Sequence, residues 1–432
     1  MRYLSTRGGT RPVGLGAALT VGLAADGGLY VPEALPLFRA DAFSGREGLA
    51  TVATALLQPF AAGDALAVDL PVICAESLDI PAPLRALAPQ TWLLELFHGP
   101  TAAFKDFGAR FLAACLARLH AHNAPPVTIL VATSGDTGAA VAAAFHRRPG
   151  FRVVILYPDG RVSPRQAHQL GCFGDNVRAL RVAGSFDDCQ ALVKQALNDH
   201  ELKHAVALTS ANSISLGRLL PQMSYYAHAA SAHWLSHGRR LNFVIPTGNL
   251  GNAFAGVLAR AAGLPIGDIV LATNANHVLP DYFTGGDYAP RPSIATLANA
   301  MDVGAPSNFE RLRWLYPEDA PLRTALRAEA VDDAEIREVI GASRNRYGSL
   351  VCPHTATALR VLERLRTHGD RRDYAVVATA HPAKFEQVIE PLIGAQVDVP
   401  PALAALLARP AHSEPLASNY EALRGRLLAP EA

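Results

Sequence analysis

A lysine stands where a predicted strand turns into a helix, in the segment Leu96–Phe107 (LFHGPTAAFKDF). The strand, Trp92–Leu96, ends at a Gly-Pro turn, and the helix begins near Lys105 in apolar company. Because apolar surroundings disfavour an ammonium, we expect the pKa of Lys105 to fall and a free amine to become available for carbonyl chemistry. The alternative, from this segment alone, is an ordinary lysine at a helix start that pairs with Asp106.

Hydroxyl and glycine residues follow a second predicted strand, in the segment Val131–Gly138 (VATSGDTG). Since the segment opens a helix, free backbone N–H groups and the helix dipole face any anion that lies there. Ser134 and Thr137 add hydroxyl donors suited to a carboxylate. The simpler interpretation is an N-cap turn in which Asp136 or Thr137 caps the helix.

A loop rich in glycine and asparagine, Ile245–Asn252 (IPTGNLGN), also joins a strand to a helix. Its composition lets backbone N–H groups converge on a phosphate without a basic side chain. It is neither a Walker loop nor a Gly-x-Gly-x-x-Gly dinucleotide motif, and alone it is equally consistent with a tight turn. Together, a reactive amine, a carboxylate loop and a phosphate loop are what pyridoxal 5'-phosphate (PLP) bound to an amino acid requires.

The elements that position these segments alternate along the chain. Short apolar runs rich in β-branched residues predict buried parallel strands over Thr128–Ala132, Val153–Tyr157, Leu241–Pro246, Ile269–Ala272 and Tyr374–Ala378. Helical periodicity lies between them, over Phe107–Leu119, Gly138–Arg147, Phe186–Asp199, Leu216–Trp234, Ala253–Ala262 and Thr355–Arg366. The alternation predicts an α/β fold of mostly parallel sheets. We also expect an N-terminal layer up to about Gln90 and a surface helix over Arg409–Ala432.

Composition restricts the partners of the protein. A length of 432 residues predicts two or three domains. Lys and Arg number 39 against 38 for Asp and Glu, a balance that favours a small molecule over nucleic acid or an anionic membrane. The five scattered cysteines argue against a disulfide framework or a metal site and for a reducing cytoplasm. The N-terminus lacks a signal-peptide core, and no apolar run approaches the ~20 residues of a membrane span, so we expect a soluble cytoplasmic protein.

The chain resembles the long, bacterial and fungal type of the threonine synthase family, in the tryptophan-synthase-β group (fold type II) of PLP enzymes. The matching segments run in order over nearly the whole length: Asp26–Pro32, His98–Thr101, Phe104–Phe107, Ala132–Gly138, Ser210–Ser215, Asn299–Val303 and Thr379–Phe385. The resemblance implies two open, mostly parallel twisted sheets flanked by helices, with an N-terminal layer. It implies an N-terminal domain over residues 1–90, a large PLP-binding domain over 91–110 and 240–432, and a small substrate-closing domain over 111–239.

The resemblance also assigns roles by position. Lys105 would be the catalytic Schiff-base lysine. The other cofactor contacts implied are Phe104, Asp136, the phosphate cup Gly248, Asn249, Leu250, Gly251 and Asn252, and Thr379, which would face the pyridine nitrogen. The substrate contacts implied are Thr101, Ser134, Gly135 and Thr137, and, at the phosphate of the substrate, Ser213, Ser215 and Arg218.

Two departures from the family pattern concern these positions. Shorter relatives have asparagine where Asp136 stands, which leaves open the protonation of Asp136 and its contact with the ring hydroxyl. In the phosphate cup, Thr247 and Leu250 replace the serine and phenylalanine common in the family. Both changes in the cup are mild, because the backbone does most of the binding.

The reaction implied is the conversion of O-phospho-L-homoserine and water to L-threonine and phosphate by γ-elimination and β-addition, with Lys105 as repeated acid and base. A related phospho-lyase that yields 2-oxobutyrate is an alternative, because the two paths diverge only after the vinyl intermediate. A threonine dehydratase is disfavoured by the phosphate contacts, since its substrate carries no phosphate. A non-catalytic PLP-binding paralogue is disfavoured by the intact lysine and loops. The resemblance allows a monomer or a homodimer.

Overall fold

The structure is a computed structural model that describes residues 1–121 and 124–429. Thirteen strands lie in these ranges. They are β1 Tyr3–Ser5, β2 Tyr30–Pro32, β3 Leu84–Ala88, β4 Thr91–Glu95, β5 Val127–Ala132, β6 Phe151–Pro158, β7 Val177–Val182, β8 Ala207–Ser210, β9 Leu241–Pro246, β10 Ile266–Thr273, β11 Leu326–Ala330, β12 Tyr374–Ala378 and β13 Glu414–Leu416.

Nineteen α-helices connect and cover the strands of the described ranges. They are α1 Leu15–Val21, α2 Leu49–Ala61, α3 Leu66–Ser77, α4 Lys105–Leu119, α5 Asp136–Phe145, α6 Pro164–Gly171, α7 Phe186–Asn198, α8 His200–Ala205, α9 Leu216–Leu219, α10 Met223–His237, α11 Gly251–Ala261, α12 Val278–Phe283, α13 Phe309–Leu315, α14 Asp319–Ala325, α15 Asp333–Tyr347, α16 Pro353–Thr367, α17 Glu386–Ile393, α18 Pro401–Leu407 and α19 Tyr420–Leu428. None of them combines the length and apolar character that a membrane crossing needs.

A six-stranded sheet forms the larger half of the molecule, in the order β11-β10-β9-β12-β4-β3. All neighbours are parallel except β3 and β4. Every residue of β12 is buried, because α16 covers one face of the sheet while α10 and α11 lie on β9 and β10. Burial on both faces explains why β12 is an unbroken apolar run without polar alternation.

A five-stranded parallel sheet forms the smaller half, in the order β13-β7-β6-β5-β8. Helices α7 and α5 pack against its central strands. The predicted α/β fold with two mostly parallel sheets is thereby confirmed. The parallel arrangement brings the carboxyl ends of neighbouring strands to one edge of each sheet, where the loops that follow them meet.

The sheets divide the chain differently from the expected domain ranges at three places. Strand β3 lies within residues 1–90 but is hydrogen-bonded to β4 of the large sheet. Strand β13 lies within residues 240–432 but extends the small sheet beside β7, so the expected C-terminal surface helix is in fact a strand followed by α19. Helix α10 lies within residues 111–239 but packs on β9, β10 and α11. Residues 122 and 123 of the expected small domain, and 430–432 of the expected C-terminal helix, lie outside the described residues.

Candidate active site

One cavity of about 460 Å³ lies beside the start of α4 and the segments that follow β5, β9 and β12. In open parallel sheets, ligands bind at this end of the strands. All three segments singled out by the sequence contribute to the wall of the cavity. The predicted site residues in the wall are Phe104, Lys105, Ser134, Asp136, Thr137, Ser213, Arg218, Gly248, Asn249, Leu250, Gly251, Asn252 and Thr379.

Lys105 is the first residue of α4 and faces the cavity. The backbone N–H of Phe104 donates to the carbonyl of Thr379 (2.8 Å), which ties the start of the helix to the end of β12. Burial lowers the pKa of Lys105 to about 8; the charge of Asp136 opposes this shift, and the charge of Arg218 adds to it. A part of the Lys105 population is therefore free amine near neutral pH.

The alternative of a Lys105–Asp106 pair is wrong. The carboxylate of Asp106 accepts hydrogen bonds from the hydroxyl of Thr101 (2.7 Å) and from its backbone N–H (2.9 Å). Asp106 thus braces the Gly-Pro turn that precedes the helix. The amine of Lys105 lies 5.3 Å from the ring centre of Phe104 and stays directed to the cavity.

The segment that follows β5 is capped by Thr133, not by Asp136 or Thr137. The Thr133 hydroxyl accepts from the backbone N–H groups of Gly135 (3.0 Å) and Gly138 (2.9 Å). Gly135 has φ +130°, and a Cβ there would lie 2.6 Å from Nε2 of Gln166, so only glycine fits. The cap by Thr133 leaves Ser134 and Thr137 free to present their hydroxyls to the cavity.

The phosphate cup Gly248–Asn252 joins β9 to α11 and leaves the first N–H groups of α11 without partners inside the helix. Leu250 adopts a left-handed conformation (φ +64°) just before the helix begins. Gly248 is required by a close approach, because a Cβ there would lie 2.7 Å from the Cα of Met301. Backbone donors and a helix N-terminus together suit a phosphate.

Two asparagine side chains hold the cup in place. The side chain of Asn249 donates to the hydroxyl of Ser213 (2.7 Å), and the backbone carbonyl of Asn249 accepts from the side chain of Asn308 (2.9 Å). Oδ1 of Asn252 accepts from the hydroxyls of Tyr225 and Tyr226, while its Nδ2 is buried without a partner in the described protein. That amide group is a donor available to a ligand.

Arg218 also lies in the wall of the cavity. Its side chain is buried, its Nη1 donates to the carbonyl of Ala211 (2.5 Å), and its Nε has no protein partner among the described residues. Burial lowers the pKa of Arg218 to about 10, although the charge of Asp106 acts in the opposite direction. The group therefore remains a cation at neutral pH, with a donor that a ligand phosphate can accept from.

Comparisons with known proteins agree with this geometry. A family model described as "Pyridoxal-phosphate dependent enzyme" matches residues 75–382. Models of the threonine synthase N terminus and C-terminal region match residues 2–78 and 355–425. The chain belongs to the threonine synthase family. It is a lyase that uses PLP.

Threonine synthases from two bacteria illustrate the likeness in sequence. The protein from Haemophilus influenzae is 39% identical over 413 residues (95% of this chain, 96% of that protein). The protein from Escherichia coli is 38% identical over 426 residues (98% of each chain). Both proteins carry the name of the expected family, and both match this chain over nearly its full length.

Solved structures of threonine synthases agree with the fold. The Escherichia coli enzyme has a TM-score of 0.92 at 37% identity, and the PLP-bound enzyme from Brucella melitensis has 0.89 at 34%, each with 99% of both chains covered. The yeast enzyme has a TM-score of 0.86 at 28% identity, with 98% of this chain and 97% of that chain covered.

The residues of the cavity fit the PLP of this family. The cup offers backbone N–H groups and the unpartnered amide of Asn252 to a phosphate. Lys105 supplies the amine that an aldehyde requires, and Phe104 and Thr379 lie in the same wall. Buried donors usually have a hydrogen-bond partner. Those on Asn252 and Arg218 have none in the described protein, which indicates that an anionic ligand accepts from them.

Three predicted substrate contacts of the threonine synthase site do not lie in the cavity wall. Thr101 is fully buried, because its hydroxyl and N–H hold Asp106. The N–H of Gly135 donates to Thr133. Ser215 is 1% exposed, and its hydroxyl is buried without a partner in the described protein. Thr101 and Gly135 thus form hydrogen bonds within the loops, Ser215 lies behind the wall, and all three stay predictions as substrate contacts.

Three residues that lie behind the cavity wall were not predicted from the sequence. Lys384 and Gln166 both contact Asp136, at 2.8 and 2.9 Å. Buried Arg311 donates to the carbonyls of Tyr30 and Ile214, at 3.0 and 2.7 Å, so it ties the N-terminal layer to the Ser213 loop. Lys384 lies in the family-like segment Thr379–Phe385. A single sequence does not indicate, however, with which carboxylate a buried lysine pairs.

Proposed function

We propose that the enzyme converts O-phospho-L-homoserine and water to L-threonine and inorganic phosphate, with Lys105 as the catalytic residue. The observation that carries the proposal is the presence of two separate anion-binding groups in one cavity, the phosphate cup and Arg218, beside an amine of lowered pKa. One phosphate belongs to the cofactor, so the second group indicates a substrate that carries a phosphate of its own.

When bound, PLP draws electrons from the amino acid and makes the protons on the neighbouring carbons acidic. We propose that the cup Gly248–Asn252 holds its phosphate, that Lys105 holds its aldehyde carbon, and that Phe104, Asp136 and Thr379 border its ring. This assignment is supported by the position of these residues around one cavity.

The carboxylate of the substrate is assigned to Ser134, Thr137 and the N-terminus of α5. Asp136 lies in the same segment, and the pKa of its carboxyl is well below the usual range; burial acts to raise it, but the charge of Lys384 and then that of Lys105 outweigh burial. An ionised Asp136 would repel a carboxylate. The hydroxyls of Ser134 and Thr137 are therefore the better donors, and Asp136 belongs beside the ring.

The phosphate of the substrate is assigned to Arg218 and Ser213. The Nε of Arg218 is a charged donor that has no partner among the described residues, and Arg218 lies in the cavity wall. Ser213 is already linked to Asn249 of the cup (2.7 Å), so the two phosphate sites share a hydrogen bond. Ser215 remains a proposed contact only if its loop moves on binding.

Lys105 is proposed to move every proton of the reaction. With PLP bound, the amine of Lys105 would take protons from Cα and Cβ of the substrate, phosphate would leave from Cγ, and the ammonium would return protons to Cγ and Cα. A pKa near 8 lets one group serve in both directions close to neutral pH. Water would then supply the hydroxyl at Cβ, and its remaining proton would pass by way of Lys105 to the released phosphate.

The test is a product analysis with purified enzyme, PLP and O-phospho-L-homoserine. We expect L-threonine and phosphate in equal amounts. Phosphate with 2-oxobutyrate in place of threonine would identify the phospho-lyase alternative. Turnover of L-threonine itself, unaffected by Arg218→Met, would support a dehydratase and contradict the assignment of the second phosphate site.

Three further expectations remain proposals. We propose that residues on the large and small sheets form two domains that close on the substrate, since both contribute to the cavity wall. A cytoplasmic location is supported by the five cysteines, each buried and unpaired. A monomer or homodimer is proposed from the family resemblance alone, and sedimentation of the purified enzyme would distinguish the two.

A further inference from the structure

A buried ion pair lies beside the catalytic lysine. Nζ of Lys384 is 2.8 Å from Oδ1 of Asp136, and the side chains are 0% and 3% exposed. Lys384 follows β12 of the large sheet, in the short turn Pro382–Phe385, whereas Asp136 is the first residue of α5 beside the small sheet. The pair therefore joins the two halves of the molecule at the cavity.

Neutral partners complete the coordination of both charges. Lys384 also donates to the carbonyl of Thr101 (2.8 Å), and the amide of Gln166 donates to Asp136 (2.9 Å). The other end of the Gln166 amide accepts from Asn299 (3.0 Å). Removal of one partner of a buried ion pair leaves the other charge uncompensated, which costs free energy. The uncompensated charge then interacts more strongly with the next charged group beside it.

The next charge is that of Lys105. The basic groups that act on Asp136 are Lys384, Lys105 and His354. Burial lowers the pKa of His354 to about 4, so His354 is neutral at neutral pH and the two lysines are the cations. Lys105 in turn faces Asp136, Arg218 and Lys384. Asp136 favours the ammonium of Lys105, while Lys384 disfavours it. Without Lys384, Lys105 would be the cation that acts most strongly on Asp136.

We propose that Lys384 is a positioning residue that compensates the charge of Asp136 and so prevents this carboxylate from holding Lys105 as an ammonium. The inference rests on the proposed role of Lys105. It assigns Lys384 a function at a distance from the reacting atoms: Lys384 acts through Asp136. Asp136 and Lys384 then form a matched unit, and two neutral side chains of similar shape are expected to replace them together but not singly.

The experiment measures the titration of Lys105 in the full-length protein, freed of cofactor, from the pH dependence of the rate at which it binds PLP. The variants are Lys384→Met, Asp136→Asn and the double variant, with Lys203→Met as a control on the surface helix α8. Thermal unfolding of each variant reports whether it is folded. No step requires threonine formation, so failure of this inference is distinct from failure of the proposed function.

We expect Lys384→Met to raise the pKa of Lys105 by about one unit or more, which lowers the binding rate below pH 8 about tenfold. In the double variant the pKa of Lys105, read from the midpoint of the pH profile and not from the absolute binding rate, should return to the wild-type value. Lys203→Met should match the wild type, and Asp136→Asn alone should lower the pKa of Lys105. An unchanged titration in folded Lys384→Met, or a double variant as impaired as the single one, would overturn the proposal. If Lys384→Met does not fold, an unchanged titration in Asp136→Asn overturns it equally.

Discussion

Lys105 must be both a cation that donates a proton and an amine that attacks a carbonyl. With a pKa of about 8, about one molecule in ten carries the free amine at pH 7, against about one in a few thousand for an ordinary lysine. Burial at the start of α4 produces this difference, and the nearby charges adjust it. The availability of the free amine of Lys105 thus depends on its buried position at the first residue of α4.

A first prediction concerns pH. The rate at which the cofactor-free protein binds PLP should rise about tenfold per pH unit and level off above about pH 8, because the pKa of Lys105 is lowered and the amine becomes available as pH rises through that value. Stopped-flow absorbance at constant ionic strength measures this rate. A rate that continues to rise toward the ordinary lysine value of 10.5 would show that Lys105 is not desolvated.

A second prediction concerns the amine itself. Lys105→Ala should lower threonine formation by about 10²- to 10⁴-fold or more, because Lys105 combines a position in the cavity wall with a pKa of about 8. The loss should be in kcat, measured from phosphate release. Lys203→Ala, on the surface, should keep full activity, and a Lys105→Ala enzyme with more than a tenth of the wild-type rate would contradict the assignment.

At the residue scale, the sequence predicted the groups whose role depends on local context and missed those that depend on distant partners. Lys105 was predictable because a strand, a turn and a helix start are encoded within a few residues of it. Thr101 was assigned to the substrate, yet it holds Asp106 five positions away. Lys384 meets Asp136 across 248 positions of sequence, and only the folded chain shows that contact.

At the scale of elements, the cup between β9 and α11 depends on how closely two loops approach. A third prediction is that Gly248→Ala weakens PLP binding by about 10- to 100-fold, since the new Cβ would lie 2.7 Å from the Cα of Met301 and overpacking of this kind costs about 1 to 3 kcal/mol. Equilibrium titration with PLP, followed by absorbance, measures the change in Kd.

Gly341→Ala is the matched control. Gly341 lies inside α15, and its nearest neighbour to a new Cβ is the carbonyl oxygen of Leu392, at 4.0 Å. The substitution should leave PLP binding unchanged and stabilise the protein by about 0.5 to 1 kcal/mol. Equal losses of PLP affinity in the two variants would show that the effect of Gly248→Ala is not local.

Most of the elements that surround the cavity were predictable, because buried parallel strands are short unbroken apolar runs. Strands β9 and β12 have the predicted bounds. The edges of the sheets were not predicted. Strand β3 is half-exposed along its length and β13 has three residues, so neither carries a strong apolar pattern. Strand β7 (VRALRV) was not predicted either, because its two arginines lie three positions apart and leave neither an unbroken apolar run nor an alternation of period two.

At the scale of the whole molecule, the C-terminal segment completes the small sheet. Leu416, Leu423 and Leu427 are buried in one apolar cluster with residues of β5, β6 and β7. A fourth prediction is that Leu423→Ala costs about 2 to 5 kcal/mol of stability in the small sheet, while Leu428→Ala, at a position 42% exposed in the same helix, changes stability by no more than about 0.5 kcal/mol.

Hydrogen exchange followed by mass spectrometry measures this prediction strand by strand. If the two sheets belong to separate domains, Leu423→Ala should accelerate exchange in β5, β6 and β7 and leave β9, β10 and β12 protected. Equal acceleration in both sheets would show one cooperative unit and would contradict the proposed division into a large and a small domain.

The late position of two strands has a consequence for biosynthesis. Strand β12 begins at Tyr374 and β13 at Glu414, in a chain of 432 residues. Because β12 lies between β9 and β4, the ribosome releases both neighbours long before the strand that joins them. Until β12 is translated, the unpaired edges of β9 and β4 can form hydrogen bonds with strands of other nascent chains and so promote aggregation. Lys105 and the phosphate cup are both translated before β12. A polypeptide truncated before Tyr374 nevertheless lacks the central strand of the sheet that positions them.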